Sequence, residues 1–514
     1  MGNINYTSTR NAGASKKFTS AQVIKQGIAD DGGLFMPSEI VKIDQKALAN
    51  FVGNAALGVP RTTGGGRPYD ELAAYILSLY LTDYDKSDIE NIARQAYSEI
   101  NFPDGAAKVS KVCDKNNKIS VLELYHGPTS AFKDMALQIM PLLLKKAFDI
   151  TGEKRKALIL VATSGDTGKA ALEGTKNIDR IDTLVFYPKD GVSEIQKLQM
   201  NTQDGNNVDV CSVVGNFDNC QTGVKNIFSD SEIKDTAEKN GIFLSSANSM
   251  NFGRLIPQVA YYFYGYIEMI KSGEIKFGEK IDISVPTGNF GNILAAYFAK
   301  KMGLPIDKLI CASNINNILT DFFETGIYDI NRKFFTTMSP SMDILISSNL
   351  ERLLYLLQGA EENSKYMSDL KSTGKFIASN NLKQKLDEDF IGMFCDENNT
   401  GKTIKKAFEE YKYLIDTHTA VAFNCAEEYL SQYKSNKKML VVSTASAYKF
   451  VSDVYYSLTG KRESDELNLK YKLRDYTGVK IPKGLDELDS KPVRFNNTVE
   501  IDGMRDYVMR KFNM

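Results

Sequence analysis

The stretch of this chain whose residue types and spacing could do chemistry is His126-Gly127-Pro128-Thr129-Ser130-Ala131-Phe132-Lys133-Asp134. A Gly-Pro turn followed by Thr129 ends an extended run. The apolar spacing of Leu137, Met140, Leu144 and Phe148 then predicts a helix that carries Lys133 in its first turn. A helix N-terminus already bears partial positive charge, so an ammonium there loses on the order of 0.3–1 kcal/mol, and conversion to an imine removes the conflict. A depressed lysine pKa is what Schiff-base chemistry with an aldehyde needs. A lone lysine is by default a solvated one. Here, however, one of only two histidines in 514 residues opens the motif, and consecutive Gly, Pro and Thr demand a defined backbone.

Three further segments could hold anions. Gly288-Asn289-Phe290-Gly291-Asn292 follows an apolar run and opens the helical pattern Ile293 to Met302, so backbone N–H groups at a helix N-terminus could hold a phosphate dianion. It lacks the G-x-G-x-x-G spacing of dinucleotide sites, and a plain strand-to-helix turn has the same signature. Thr163-Ser164-Gly165-Asp166-Thr167-Gly168-Lys169 contains the Asp-Thr-Gly of aspartic proteases, but its continuation is helical rather than a hairpin. It also ends like a phosphate-binding P-loop, but Ala170 stands where Ser or Thr would hold Mg²⁺. What remains suits a carboxylate, or a helix whose Ser164 or Thr167 satisfies its own backbone. Ser246-Ala247-Asn248-Ser249-Met250-Asn251-Phe252-Gly253-Arg254 could seat a second oxyanion, with Arg254 as its planar fork or as the partner of an ordinary ion pair.

These loops need elements to position them. The first hundred residues predict helices near 20–29, 72–84 and 89–100 around the turn Asp30-Asp31-Gly32-Gly33. From about Val121 short β-branched runs end in glycine-rich turns and lead into helical patterns, the texture of βα units on a parallel sheet. The predicted strands are 157–162, 183–187, 281–285, 309–312 and 439–442. In such α/β sheets ligands bind beyond the carboxyl ends of the strands, where these loops lie. The division expected is an N-terminal helical unit at 1–110, an α/β core at 111–320, a helical insertion or lid without sheet at 321–405, a return to the core at 406–460, and a surface-wrapping segment at 461–514.

Composition excludes several classes. With 63 basic against 64 acidic residues there is no field for phosphodiester backbones, so nucleic acid is not an expected partner. The six cysteines form no C-x-x-C pair, which fits reduced thiols in a cytoplasmic setting, and no metal site is expected. The start lacks a secretory pattern, and Tyr6 stands where a myristoylation signal needs Ser or Thr. The apolar region Leu255 to Ile270 is interrupted by Gln258 and Glu268, so it predicts a packed helix, not a membrane span.

Taken in series, the motifs resemble threonine synthase of the long, bacterial and fungal class, a family of pyridoxal-phosphate enzymes of fold type II. The resemblance runs through Tyr6-Thr7-Ser8-Thr9-Arg10, Gly27 to Pro37, the lysine motif, TSGDTG, SANSMNFGRLIPQ, PTGNFGN, Asp416-Thr417-His418-Thr419-Ala420 and the STA at Thr444, in the family's order. It implies a tryptophan synthase β-like α/β fold with parallel-type sheets flanked by helices. It further implies pyridoxal 5'-phosphate held as a Schiff base on Lys133, its phosphate cradled by Gly288, Asn289, Phe290, Gly291 and Asn292, and its ring contacted by Thr444 and Asp166. Thr163, Ser164 and Thr167 resemble the substrate-carboxylate loop, and Asn248, Ser249 and Arg254 the substrate-phosphate site. The implied reaction turns O-phospho-L-homoserine and water into L-threonine and phosphate, in a monomer or homodimer. A fold type II dehydratase or phospholyase would share Lys133, and a non-catalytic homologue would keep the fold as a binding module. Two departures stand out. Asp166 occupies a position where the wider group usually has asparagine, and Ala445-Ser446-Ala447-Tyr448-Lys449-Phe450 lacks the His-Pro of close relatives, so the pocket floor differs. His126 and His418 lie in matching motifs, as core or as catalytic residues.

Overall fold

A computed structural model describes residues 2–11, 16–53, 69–112 and 118–514; Cys113 lies outside them. The apolar runs after Val121 form two sheets. The larger is six-stranded, in the order Phe390–Phe394, Ile306–Ser313, Ile281–Pro286, Met439–Ser443, Ile119–Glu123, Lys108–Lys111, and only the last pair is antiparallel. The smaller is five-stranded and parallel, in the order Asn497–Val499, Val208–Val213, Ile181–Pro188, Lys156–Ala162, Ile242–Ser245. Ile159, Leu160 and Val161 in one sheet and Ile281, Ile283 and Val285 in the other are fully buried, as parallel strands covered on both faces require. Helices Pro257–Lys271 and Gly291–Met302 are buried nearly all round, which is why Leu255 to Ile270 is so apolar. No helix among the described residues is long and apolar enough to cross a membrane.

The N-terminal motifs meet each other. Tyr6–Ser8 pairs antiparallel with Phe35–Pro37, and Thr9 and Arg10 reach Glu351, at 2.9 Å for Arg10 Nε, on the helix Leu350–Gln358.

Three expectations change. The region 321–405, expected to contain no sheet, supplies the edge strand Phe390–Phe394, which pairs in parallel with Leu309–Ser313. The segment after 461, expected to wrap the surface, adds Asn497–Val499 to the smaller sheet and buries Met504, Tyr507 and Val508 of the helix Met504–Lys511 in that sheet's core cluster. Third, Lys133 does not lie in the first turn of a long helix. It caps the four-residue helix Asp134–Leu137, which is separated from the twelve-residue helix Met140–Thr151 that Pro141 helps to start.

Candidate active site

The loop after strand Ile119–Glu123 delivers Lys133. Asp134 turns back to accept from the N–H of Thr129 at 2.8 Å and its hydroxyl at 2.7 Å, closing the loop into a ring. A side chain at Gly127 would strike Asp134 Oδ2 at 2.5 Å, so the Gly-Pro-Thr sequence is what permits that closure. Burial pushes the Asp134 carboxyl up to about 7, with the Thr129 hydrogen bonds opposing it. The loop is laced to the end of strand Met439–Ser443: Phe132 N–H donates to Thr444 O at 2.7 Å and Ser446 N–H to Ser130 O at 3.1 Å. Thr444 is therefore fixed beside Lys133 by backbone alone.

The side chain of Lys133 is 13% exposed, and its amine lies 3.9 Å from Asp166 Oδ2. Burial lowers it to about 8; Asp166 works against that, while Arg254 and Lys449 add to the depression. The depression expected from a helix dipole therefore has a different origin, since a four-residue helix carries little dipole and desolvation acts in its place.

Asp166 opens the helix Asp166–Thr175 beyond strand Lys156–Ala162. Its Oδ1 accepts from Lys449 Nζ at 2.9 Å and from Gln196 Nε2 at 2.7 Å. Burial alone would raise its pKa, but Lys449 and then Lys133 outweigh burial and hold it well below the usual carboxylate range. The carboxylate form of Asp166 is the one these two cations favour. Thr163 is turned inward, its hydroxyl accepting from the N–H of Gly165 at 3.0 Å and of Gly168 at 2.9 Å. It shapes the loop, and Ser164 and Thr167 remain half-buried on its rim.

The glycine loop follows strand Ile281–Pro286. Phe290 takes a left-handed φ of 62° to start helix Gly291–Met302, a conformation disfavoured for an aromatic residue. At Gly288 a Cβ would lie 2.6 Å from the backbone O of Ser341, so only glycine lets the insertion approach this closely. Ser347 Oγ donates to Gly288 O at 2.7 Å, and Asn349 Nδ2 donates to both Asn289 O and Ser249 Oγ at 3.0 Å. Asn349 thus ties the glycine loop to the Asn248-Ser249 segment. The fully buried Arg352 donates to Met250 O at 2.6 Å and to Asn349 Oδ1, and burial depresses it to about 9.

Arg254 is 4% exposed and donates to Ala247 O at 2.7 Å, while its Nε has no partner among the described residues. Burial lowers it to about 10. Nδ2 of Asn292 is likewise buried and unpartnered, its Oδ1 accepting from the hydroxyls of Tyr261 and Tyr262. Two buried donors left unsatisfied are costly unless an acceptor reaches them. Anionic groups such as those of pyridoxal phosphate and a phosphorylated amino acid supply such acceptors, and a buried amine suits the aldehyde, so the residues fit the cofactor.

The histidines divide. His126 Nε2 lies 2.8 Å from Glu123 Oε2. His418 accepts at Nε2 from the N–H of Ser341 at 3.1 Å, which places its ring proton on Nδ1, 3.0 Å from Asp416 Oδ2. Ser341, Lys449, Gln196, Asn349 and Arg352 were not legible as site residues. The only local signal was the altered segment after Thr444, which contains Lys449.

Residues 5–97 match the family described as threonine synthase N terminus, and residues 109–445 match that of the pyridoxal-phosphate dependent enzymes. The chain is similar to threonine synthase of Saccharomyces cerevisiae, 36% identical over 480 residues that cover 88% of this chain and 89% of that protein. It is 38% identical to human threonine synthase-like 1, spanning 86% of this chain but 58% of that longer protein. Among solved structures it is similar to threonine synthase from yeast, with TM-score 0.86, 32% identity and 99% of both chains covered. It is also similar to pyridoxal-phosphate-bound threonine synthase from Brucella melitensis, with TM-score 0.84, 32% identity and coverage of 99% and 98%. With a buried lysine, a glycine loop that Ser341 links to it, and these relatives, the chain belongs to the threonine synthase family of pyridoxal-phosphate-dependent lyases of fold type II.

Proposed function

We propose that the chain converts O-phospho-L-homoserine and water into L-threonine and inorganic phosphate, with Lys133 as the amine that carries the cofactor. The observation that carries this reading is the convergence on Lys133 Nζ of a buried carboxylate, Asp166, and a buried guanidinium with an unsatisfied donor, Arg254. When bound, pyridoxal phosphate supplies an electron sink that stabilises negative charge on the substrate's carbon skeleton.

The chain's own residues do the rest. Gly288, Asn289, Phe290, Gly291 and Asn292 hold the cofactor phosphate at the N-terminus of a twelve-residue helix. Thr444 and Asp166 attend its ring. Ser164, Thr167 and the backbone that Thr163 shapes take the substrate carboxylate, and Asn248, Ser249 and Arg254 take its phosphate, so both anionic ends are held and the reacting carbons are oriented. Lys133 Nζ, poised near 8, accepts the Cα proton, would hand it to the former aldehyde carbon of bound cofactor, and with its lone pair restored accepts a Cβ proton and returns it to Cγ once phosphate has left. The turn at Ser341, packed over Gly288, covers the amine and limits stray water until the addition at Cβ.

The test is borohydride reduction of the cofactor-loaded protein with peptide mapping, joined to phosphate-release and product analysis on phosphohomoserine. A tag on Lys133 and threonine as product support the reading. A tag elsewhere, or 2-oxobutyrate in place of threonine, overturns it in favour of a different amine or of a degradative lyase.

A further inference from the structure

Lys449 is a buried cation beside the site that the reaction as described leaves unused. Its side chain is 0% exposed, and its Nζ lies 2.9 Å from Asp166 Oδ1 and donates to Thr129 O at 2.9 Å. Asp166 is 4% exposed and its other oxygen, Oδ2, stands 3.9 Å from Lys133 Nζ. One carboxylate therefore sits between two lysines, in contact with one and a full ångström further from the other. Gln196 Nε2 adds a donor to Oδ1 at 2.7 Å, on the side of Lys449. The other groups that face this pair are the guanidinium of Arg254, which acts on Lys133, and the titratable ring of His418, on the side of Asp166.

A buried carboxylate without Lys449 would have Lys133 as its nearest cation, and a buried Lys–Asp pair in contact holds the lysine protonated. A protonated amine has no lone pair with which to attack an aldehyde or to take a proton from carbon. We propose that Lys449 is a positioning residue: by taking up the Asp166 carboxylate it leaves the Lys133 amine able to lose its proton near neutral pH. Lys449 touches neither substrate nor cofactor in this role. The inference rests on Lys133 being the cofactor-bearing amine, and it explains why an aspartate can be tolerated beside that amine at all. The anion comes with its own counter-ion, carried on the segment after Thr444.

The test is competitive acetylation of the full chain, freed of cofactor, across neutral to alkaline pH, with the extent of modification at Lys133 read by peptide mapping. Lys449→Met should move the Lys133 midpoint upward by about one pH unit, so that labelling at neutral pH falls about tenfold. Lys449→Arg, which keeps the charge, should hold the midpoint near that of the parent. The double change Lys449→Met with Asp166→Asn should bring it back down. In the loaded enzyme, Lys449→Met should also shift upward the pH at which the visible absorbance band changes. An unmoved or lowered midpoint in Lys449→Met, or an equal rise in Lys449→Arg, overturns the proposal. Should Lys449→Met fail to fold, Lys449→Gln carries the same expectation, because it can still hydrogen-bond Thr129 O without a charge. Because acetylation reports on the amine whether or not it binds cofactor, failure here is distinct from a borohydride tag on another residue.

Discussion

Lys133 Nζ donates to Oγ of Ser341 at 3.4 Å, although Ser341 lies 208 positions further along the chain. The same hydroxyl faces Asp166 Oδ2 at 3.5 Å, and the Ser341 backbone is clamped by His418 on its N–H and by Gly288 beneath its carbonyl. The segment around Ser341 thus brings a hydroxyl on a clamped backbone to the Lys133 amine.

Ser341→Ala removes that hydroxyl without disturbing the backbone clamp. A hydrogen bond to a charged group is worth about 1.5–3 kcal/mol, so kcat should fall roughly tenfold or more with little change in melting temperature. Steady-state kinetics beside a thermal melt checks this; unchanged kcat would remove Ser341 from the chemistry.

Gly288→Ala places a methyl group 2.6 Å from the backbone oxygen of Ser341, a contact relieved only by moving the turn or the glycine loop. Affinity for pyridoxal phosphate should drop by about tenfold or more, since the loop's N–H groups lose their alignment at the helix N-terminus. Equilibrium dialysis with the cofactor measures it, and parent-like affinity would mean that the phosphate sits elsewhere.

Arg254→Ala deletes a buried guanidinium whose Nε has no partner among the described residues. Its expected effect is a rise in KM for phosphohomoserine of about tenfold to a hundredfold, the size of a lost charge-assisted hydrogen bond. Arg254→Lys should recover part of this at most, because a lysine lacks the fork. A KM that stays put in both variants would contradict the assignment of Arg254 to the substrate phosphate.

Glu123 makes a prediction about pH. Burial would raise its pKa, but hydrogen bonds from His126, Ser110 and Tyr413 prevail and hold it at about 2, against an ordinary value of 4.5. A depressed carboxyl stabilises the fold fully above its unfolded value, and the contribution is lost as pH falls through the window from 4.5 towards 2. The stake is on the order of 3 kcal/mol. Urea denaturation at a series of acidic pH values should show a steep loss of stability in the parent and a flatter one in Glu123→Gln, which begins less stable at neutral pH. Parallel curves would show that Glu123 is not held in this way.

Motifs that depend on neighbouring residues were readable. The Gly127-Pro128-Thr129 turn, the glycine loop ahead of Gly291–Met302 and the strand cores are all set by local sterics and hydrogen bonding, which leave a mark in a run of a few residues. Helix continuity past Lys133 was not readable. The period through Leu137, Met140, Leu144 and Phe148 reflects burial of one face and is blind to the break at Gln138 and Ile139.

By itself the sequence determined which turns and loops place lysine, glycine and hydroxyl residues together and in what order they occur, because glycine, proline and capping side chains impose their geometry within a turn or two. Only the tertiary structure decided what those groups meet. Lys449 on Asp166, Ser341 on Lys133, Asn349 between two loops and Phe390–Phe394 at the edge of the larger sheet are contacts between distant segments. Such contacts are set by packing and by the cost of leaving buried charges and backbone groups unpaired, and that cost is a property of the assembled core, with no signature in any local stretch of chain.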